Sequence, residues 1–257
     1  MKVTVCELSS AWTISDTEQE AFFHHLDASG SNLLLLPEMP FYAWLAGSDK
    51  SNRSQWIKAV ETHEAWIDRL GEFNVPVIAG TRPVLNNDQP RNEAFIWTLE
   101  QGCLGVHEKY YLPDEAGFWE ATWYGRGDGS FSAIEVGGIK MGFLICTEIW
   151  FNQRAREYGK QGIHLLLCPR ATPSTSTGTW VAGGRAAANV SGSYCLSSNF
   201  NGVNTPTIDF GGTGWIIEPE EGNIMGTTSK TSPVLTIRID TAAAESAKQT
   251  YPRYVPD

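Results

Sequence analysis

A carboxylate, an ammonium and a thiol close three short segments of this chain. Leu33-Leu34-Leu35-Leu36 runs into Pro37-Glu38, Glu108 is followed by Lys109 and Tyr110, and Met141–Ile145 runs into Cys146-Thr147-Glu148. A Glu can take a proton and later return it. A Lys ammonium can receive negative charge that develops on a substrate oxygen, and a Cys thiolate is a strong nucleophile. Base, cation and nucleophile form a set with one obvious use, which is cysteine-dependent hydrolysis.

Such a set works only if the fold brings its members together. Short apolar runs bounded by turn formers read as buried strands, and open α/β sheets hold their ligands beyond the carboxyl ends of strands. Glu38 and Cys146 each stand at such an end. The rest of the chain alternates in the same way. Val3–Leu8 reads as a first strand, and 16–26 as a helix capped by Ser15 or Asp16. Asn32–Leu36 is a strand, and Ser54–Phe73 a longer helix with apolar residues at helical spacing. Val75–Ala79 is the next strand, closed by Gly80, with a turn at Asn86-Asn87-Asp88. Glu93–Leu99 and Gly105–Lys109 pair through Gln101-Gly102.

Tyr110 to Gly129 follows without regular pattern, rich in aromatics, Gly and Asp, and long loops of this kind are often functional. A hairpin around Gly137-Gly138, a helix over 152–158, a strand over 164–167, a helix over 181–190 and a strand over 194–197 come next. Gly214–Ile217 and Val234–Ile239 close the fold. Strands linked by amphipathic helices predict an α/β architecture with helices packed outside the sheet. The hairpins point to two mixed sheets. No repeat or linker divides the 257 residues, so one domain over 1–257 is expected.

Composition narrows the partners. An apolar fraction of 42% with ten Trp can build a large core and argues against disorder. A net charge of −10 argues against a nucleic-acid partner, because phosphate binding needs a basic surface. No apolar run approaches the roughly 18 residues of a membrane span, and the amino terminus lacks signal-peptide character. The five Cys, at 6, 103, 146, 168 and 195, form no CxxC pair and no zinc spacing. Reduced thiols, a cytoplasmic location and no metal are the expectation.

In its motifs the chain resembles the nitrilase, or carbon–nitrogen hydrolase, superfamily over nearly its full length. Leu35-Leu36-Pro37-Glu38, His107-Glu108-Lys109 and Leu144-Ile145-Cys146-Thr147-Glu148 look like the family's three motifs, in order. Arg185-Ala186-Ala187-Ala188-Asn189, Asn199 and Gly211–Pro219 look like its later landmarks. The resemblance implies a four-layer α-β-β-α sandwich, paired into a homodimer, with no cofactor. It also implies that Cys146 attacks, Glu38 is base then acid, and Lys109 with the Thr147 N–H receives the oxyanion. Glu120-Ala121-Thr122-Trp123-Tyr124-Gly125-Arg126-Gly127-Asp128-Gly129 is similar to the segment carrying an accessory carboxylate, so that role falls to Glu120, with Glu115 as competitor. Two residues depart from the pattern. Thr147 stands where many relatives have an aromatic residue, and Arg170 stands where specificity is usually set.

Blander readings apply to several of these residues. Strand-end Cys residues are by default packing groups, which suits Cys168 and Cys195. Arg170 could clamp a substrate carboxylate or pair with the Asp114-Glu115 loop; the structural pairing is favoured. Of the aromatics Trp119, Trp123, Trp150, Phe151 and Trp180, the two just beyond the nucleophile, Trp150 and Phe151, are the best candidates for touching substrate. The five His supply no triad partner. The expected reaction is hydrolysis of a small linear carboxamide, favoured by the short carboxyl-terminal region. A nitrile is the alternative, which the Glu120–Gly129 segment favours, as is an N-carbamoyl compound. A non-catalytic binding module would be expected to lack one of Glu38, Lys109 and Cys146, and all are present.

Overall fold

A computed structural model describes residues 1–9, 16–205 and 208–256. Its elements begin with β1 (Lys2–Ser9), α1 (Asp16–Ser29), β2 (Leu33–Leu35) and α2 (Arg53–Ile67). Next come β3 (Val77–Asn86), β4 (Gln89–Thr98), β5 (Gly102–Glu108) and one turn of helix, α3 (Glu120–Trp123). The hairpin β6 (Ile134–Val136) and β7 (Ile139–Phe143) leads to α4 (Asn152–Lys160), β8 (Leu165–Pro169) and α5 (Thr177–Ser191). The chain ends with β9 (Tyr194–Thr205), β10 (Ile208–Gly211), β11 (Trp215–Ile217), β12 (Ile224–Thr227), β13 (Val234–Arg238) and α6 (Thr241–Ala247).

Two mixed sheets result. In the first, β1, β2 and β3 are parallel, while β4, β5 and β13 are added antiparallel. In the second, β7, β8 and β9 are parallel, and β6, β11 and β12 are antiparallel. The sheets join where β1 meets β9, through Glu7–Asn199 and Leu8–Phe200. Strand alternation sorts the side chains into layers. Val3, Val5, Leu33, Leu35 and Ile96 of the first sheet pack with Met141, Phe143, Leu165, Leu167 and Leu196 of the second, forming the core between the sheets. The alternate residues Leu34, Leu36, Ile78 and Phe95 face outward to Phe22 and Leu26 of α1 and to Ile67. Leu166, Cys195 and Trp215 likewise meet Ala155 and Tyr158 of α4 and Ala187 and Ala188 of α5. The expected α/β class with two mixed sheets stands, and these clusters are consistent with the expected four-layer sandwich.

Several boundaries move for physical reasons. α2 stops at Ile67, and a separate 3-10 turn, Leu70–Phe73, ends on left-handed Asn74 (φ +51°), which lets Leu70 and Phe73 enter the outer core. β3 passes straight through Gly80 and pairs with β4 to the Asn87-Asp88 turn. Gly80 marks a close approach: a Cβ there would lie 3.1 Å from that of Leu36. α3, β10, β12 and α6 are too short or too irregular in pattern to be read from sequence. Ser15 and the side chain of Asp16, the expected cap of α1, lie outside the described residues. Among the described residues no helix is long and apolar enough to cross a membrane.

The nucleophile strand depends on a similar contact. Gly142 of β7 lies under Tyr158 of α4, and a Cβ at this position would come within 2.6 Å of the ring. Gly142→Ala should therefore lower stability by about 1–3 kcal/mol through overpacking. The expected readout is a lower urea midpoint at constant slope; an unchanged midpoint would mean that α4 yields freely.

Candidate active site

Glu38 lies just beyond β2, Lys109 just beyond β5, and Cys146 just beyond β7. The backbone at two of these exits is strained. Cys146 has φ +47°, and Met39, next to Glu38, has φ +45°. Such conformations cost on the order of 1–3 kcal/mol for a residue with a side chain. They persist because surrounding contacts over-determine them. Met39 N–H donates to Thr81 Oγ1 at 2.9 Å, and Glu38 N–H to the Arg170 carbonyl at 3.3 Å. At the other exit, Cys146 opens a short 3-10 helix, Cys146–Trp150, that fixes the bend.

Glu148, within that helix, ties the exits together. Its Oε2 accepts from Ile145 N–H at 2.8 Å, beside the nucleophile, and its Oε1 accepts from Tyr110 N–H at 2.8 Å, beside Lys109. The same Oε2 meets His107 Nε2 at 2.8 Å. Burial disfavours charge on that imidazole, but Glu148, helped by the Ser130 carbonyl and Asp128, holds the His107 pKa above its ordinary value.

The charges converge on Lys109. Its fully buried Nζ is 2.8 Å from Glu38 Oε1 and 2.6 Å from Glu120 Oε2. Burial opposes the ammonium, yet Glu120 and Glu38 together keep it above the ordinary lysine range. One ammonium cannot fully compensate two buried carboxylates. Burial is the main reason that the Glu120 pKa is pushed up to about 7; Lys109 opposes this and Glu38 adds to it. Tyr124 donates to Glu120 Oε2, and Asn92 Nδ2 donates to Glu38 Oε1 at 2.8 Å. Glu38 Oε2 and Glu120 Oε1 remain buried without a protein donor, so each carboxylate keeps an acceptor for another proton.

Cys146 is buried and held as a thiol. Burial is the main force raising its pKa; Glu38 adds to it, while Lys109 opposes it. Cys146, Glu120 and Thr147 line one cavity of about 340 Å³, with Phe118, Trp150 and Trp180 among its apolar walls and Glu115 also on its surface. Thr147 occupies the first turn of the 3-10 helix, where N–H groups have no partner within the helix. Among the described residues no cluster of His, Cys, Asp and Glu could hold a metal ion.

Six of the expected site residues thus share one neighbourhood: Glu38, Lys109, Cys146, Glu120, Thr147 and Trp150. Two do not. Phe151 stacks on Tyr111 with ring centroids 3.4 Å apart and does not line the cavity. Arg170 is buried and is not among the lining residues, although it touches two of them, Thr172 and Trp180. Its guanidinium donates to Ser197 Oγ, Thr172 Oγ1 and the Thr213 carbonyl, and lies 3.9 Å over Trp215. It therefore neither clamps a substrate carboxylate nor pairs with Asp114-Glu115. A buried guanidinium with all these partners is a strut.

Sequence reasoning passed over Asn92, Tyr124 and the Glu148–His107 pair, and set Trp180 behind Phe151. Tyr124 follows Glu120 at the helical i,i+4 spacing, a signal that could have found it. For Asn92, on a strand remote in sequence from Glu38, no such signal exists.

Comparison with known proteins adds an independent line. The pattern of the family described as carbon-nitrogen hydrolase matches residues 2–249. An N-carbamoylputrescine amidase of Arabidopsis thaliana is 25% identical over 250 residues, covering 90% of this chain and 83% of its own. A 2-oxoglutaramate amidase of Bacillus subtilis is 24% identical over 236 residues, covering 90% and 86%. Among solved structures, a carbon–nitrogen hydrolase of Helicobacter pylori superposes with a TM-score of 0.84 at 20% identity, covering 98% and 94%. An amidase of a Nesterenkonia species superposes with a TM-score of 0.78 at 18% identity, covering 95% and 92%.

A thiol held above its ordinary pKa should not exist as a preformed thiolate. The difference in ultraviolet thiolate absorbance between this protein and its Cys146→Ser variant should be absent at neutral pH and grow only in alkaline solution. A titration midpoint at or below that of an ordinary thiol would contradict this.

Proposed function

The chain belongs to the carbon–nitrogen hydrolase family, and we propose that the bond it cleaves is that of a small linear carboxamide, giving the carboxylic acid and ammonia. It is a cysteine-dependent hydrolase. The observation that carries the carboxamide reading is Lys109 between Glu38 and Glu120, behind the cavity that Cys146 lines. In this reading Glu38 takes the thiol proton as Cys146 attacks the carbonyl carbon, so a thiolate exists only when there is something to attack. The tetrahedral oxyanion is received by the Lys109 ammonium and the Thr147 N–H. Glu38 returns the proton to the departing nitrogen, and ammonia leaves a thioester on Cys146. Glu38 then deprotonates a water that attacks the thioester, and the acid departs as the thiol re-forms.

Glu120 acts by holding Lys109 in place, with Tyr124 fixing the carboxylate. A nitrile would pass through a thioimidate to the same Cys146 thioester, so the catalytic residues do not themselves choose between the two, and the amide is the proposed choice. The relatives described as amidases support the same choice, and one of them is named for a carbamoyl compound, so a ureido group is the neighbouring possibility. We also propose a reducing, cytoplasmic setting, supported by five free cysteines. A symmetric homodimer is proposed from the family resemblance, to be tested by sedimentation.

Matched amide and nitrile pairs with the same side chain should differ strongly in kcat/KM, with the amide ahead. Cys146→Ala should fold and lose turnover by several orders of magnitude, while Cys168→Ala retains most of it. Mass spectrometry of quenched enzyme should find acyl mass on the Cys146 peptide. Nitriles consistently ahead of amides would replace the amidase reading with that of a nitrilase, and undiminished turnover by Cys146→Ala would remove the mechanism altogether.

A further inference from the structure

The charges on the cavity wall are all of one sign. Its lining contains two carboxylates, Glu115 and Glu120, and no Lys, Arg or His. Glu120 is buried and committed to Lys109 and Tyr124. Glu115 is different: it is exposed, and its backbone is pinned in a tight turn by reciprocal bonds with Phe118, 2.8 and 3.4 Å long. Its carboxylate is thus carried on a fixed backbone at the solvent side of the cavity. Two buried cations stand behind the walls: Lys109 is shared by Glu38 and Glu120, and Arg170, 6.0 Å from the Trp180 ring centroid, has its guanidinium occupied by Ser197, Thr172, Thr213 and the face of Trp215.

The apolar part of the lining has a matching character. Trp150 and Trp180 meet with ring centroids 5.2 Å apart. Trp180 is anchored by its Nε1–H on Ser176 Oγ at 3.1 Å, and Trp150 is partly exposed. Indole faces attract cations and offer nothing to an anion. A substrate held with its carbonyl at Cys146 would run its tail along these rings toward Glu115.

We infer that this site selects amides whose far end is an ammonium and rejects those whose far end is a carboxylate, with Glu115 reading the charge and Trp150 and Trp180 forming the path to it. The inference rests on the amidase reading for its turnover assay but not for its binding assay. Its test compares three amides of matched length: ω-aminopentanamide, hexanamide and adipamic acid. The kcat/KM should fall in that order, with the ammonium compound ahead of the carboxylate by roughly tenfold or more, as expected from one half-exposed ion pair and a cation–π contact. Glu115→Gln should compress the ammonium-to-neutral ratio toward unity, and Glu115→Lys should invert the order. Added salt should shrink the same ratio in the unmodified protein.

Calorimetric binding of the three compounds to the Cys146→Ala protein separates the two ideas. The ammonium compound bound ahead of the others, with no turnover of any of the three by the unmodified protein, would leave the charge selection standing and remove the amidase reading. Turnover of all three at similar kcat/KM, a preference that survives Glu115→Gln, or equal or absent binding of the three would overturn the charge selection.

Discussion

One ammonium shared by two carboxylates, all three shut away from water, is the constraint on which this structure turns. Isolated, any of these charges would be prohibitively costly in a protein interior. Together they are tolerable only at hydrogen-bond distance. Lys109 therefore has to be where Glu38 and Glu120 are, and three segments distant in sequence have to meet within a few ångströms. The surplus negative charge is not lost. It appears as the raised pKa of Glu120 and, at Cys146, as a thiol that keeps its proton. The cluster thus serves both stability and chemistry: the proton acceptor is kept ready while the nucleophile stays unreactive until a carbonyl arrives.

Holding that arrangement falls to packing and to backbone bonds more than to the charges themselves. The core between the sheets aligns the carboxyl ends of β2 and β7, because Leu33 and Leu35 must bury against the same layer as Met141 and Phe143. Glu148 then links the two exits by accepting from Ile145 and Tyr110. Left-handed backbone at Met39 and Cys146 turns each chain sharply at the point where its functional side chain emerges. Strain stored at these turns is sustained by contacts made elsewhere, which is the usual arrangement where a side chain must be presented to a substrate. Arg170 belongs to this supporting layer: buried against Thr172 of the cavity lining, it braces β9 through Ser197 and the loop after β10 through Thr213.

Much of this could be read from the chain. Short, nearly continuous apolar runs in Val3–Leu8, Asn32–Leu36 and Lys140–Ile145 made them strands, because a pleated strand shows its two faces in turn and both faces here are covered. The order of the segments ending in Glu38, Lys109 and Cys146 was enough to expect a base, a cation and a nucleophile. Glu120, with Glu115 as competitor, followed from the resemblance of its segment to that of the family. These are properties of residue type and near neighbours, which a linear string preserves.

What only the tertiary structure decided are relations across the fold. Arg170 and Phe151 sit beside strong motifs, yet a strand or a short helix sends adjacent side chains in different directions. Arg170 went down to Trp215 and Phe151 across to Tyr111, while Trp180, far along the chain, came to the cavity. Asn92 reached Glu38, and Glu148 reached both His107 and Tyr110, through pairings that no local pattern encodes. The protonation of Cys146 and Glu120 was likewise undecided until burial and partners were known, because a pKa is set by surroundings and not by residue type. Sequence determined which chemical groups this protein has and in which elements they stand; the fold decided which of them share one low-dielectric space, because only distance and desolvation turn separate side chains into a site.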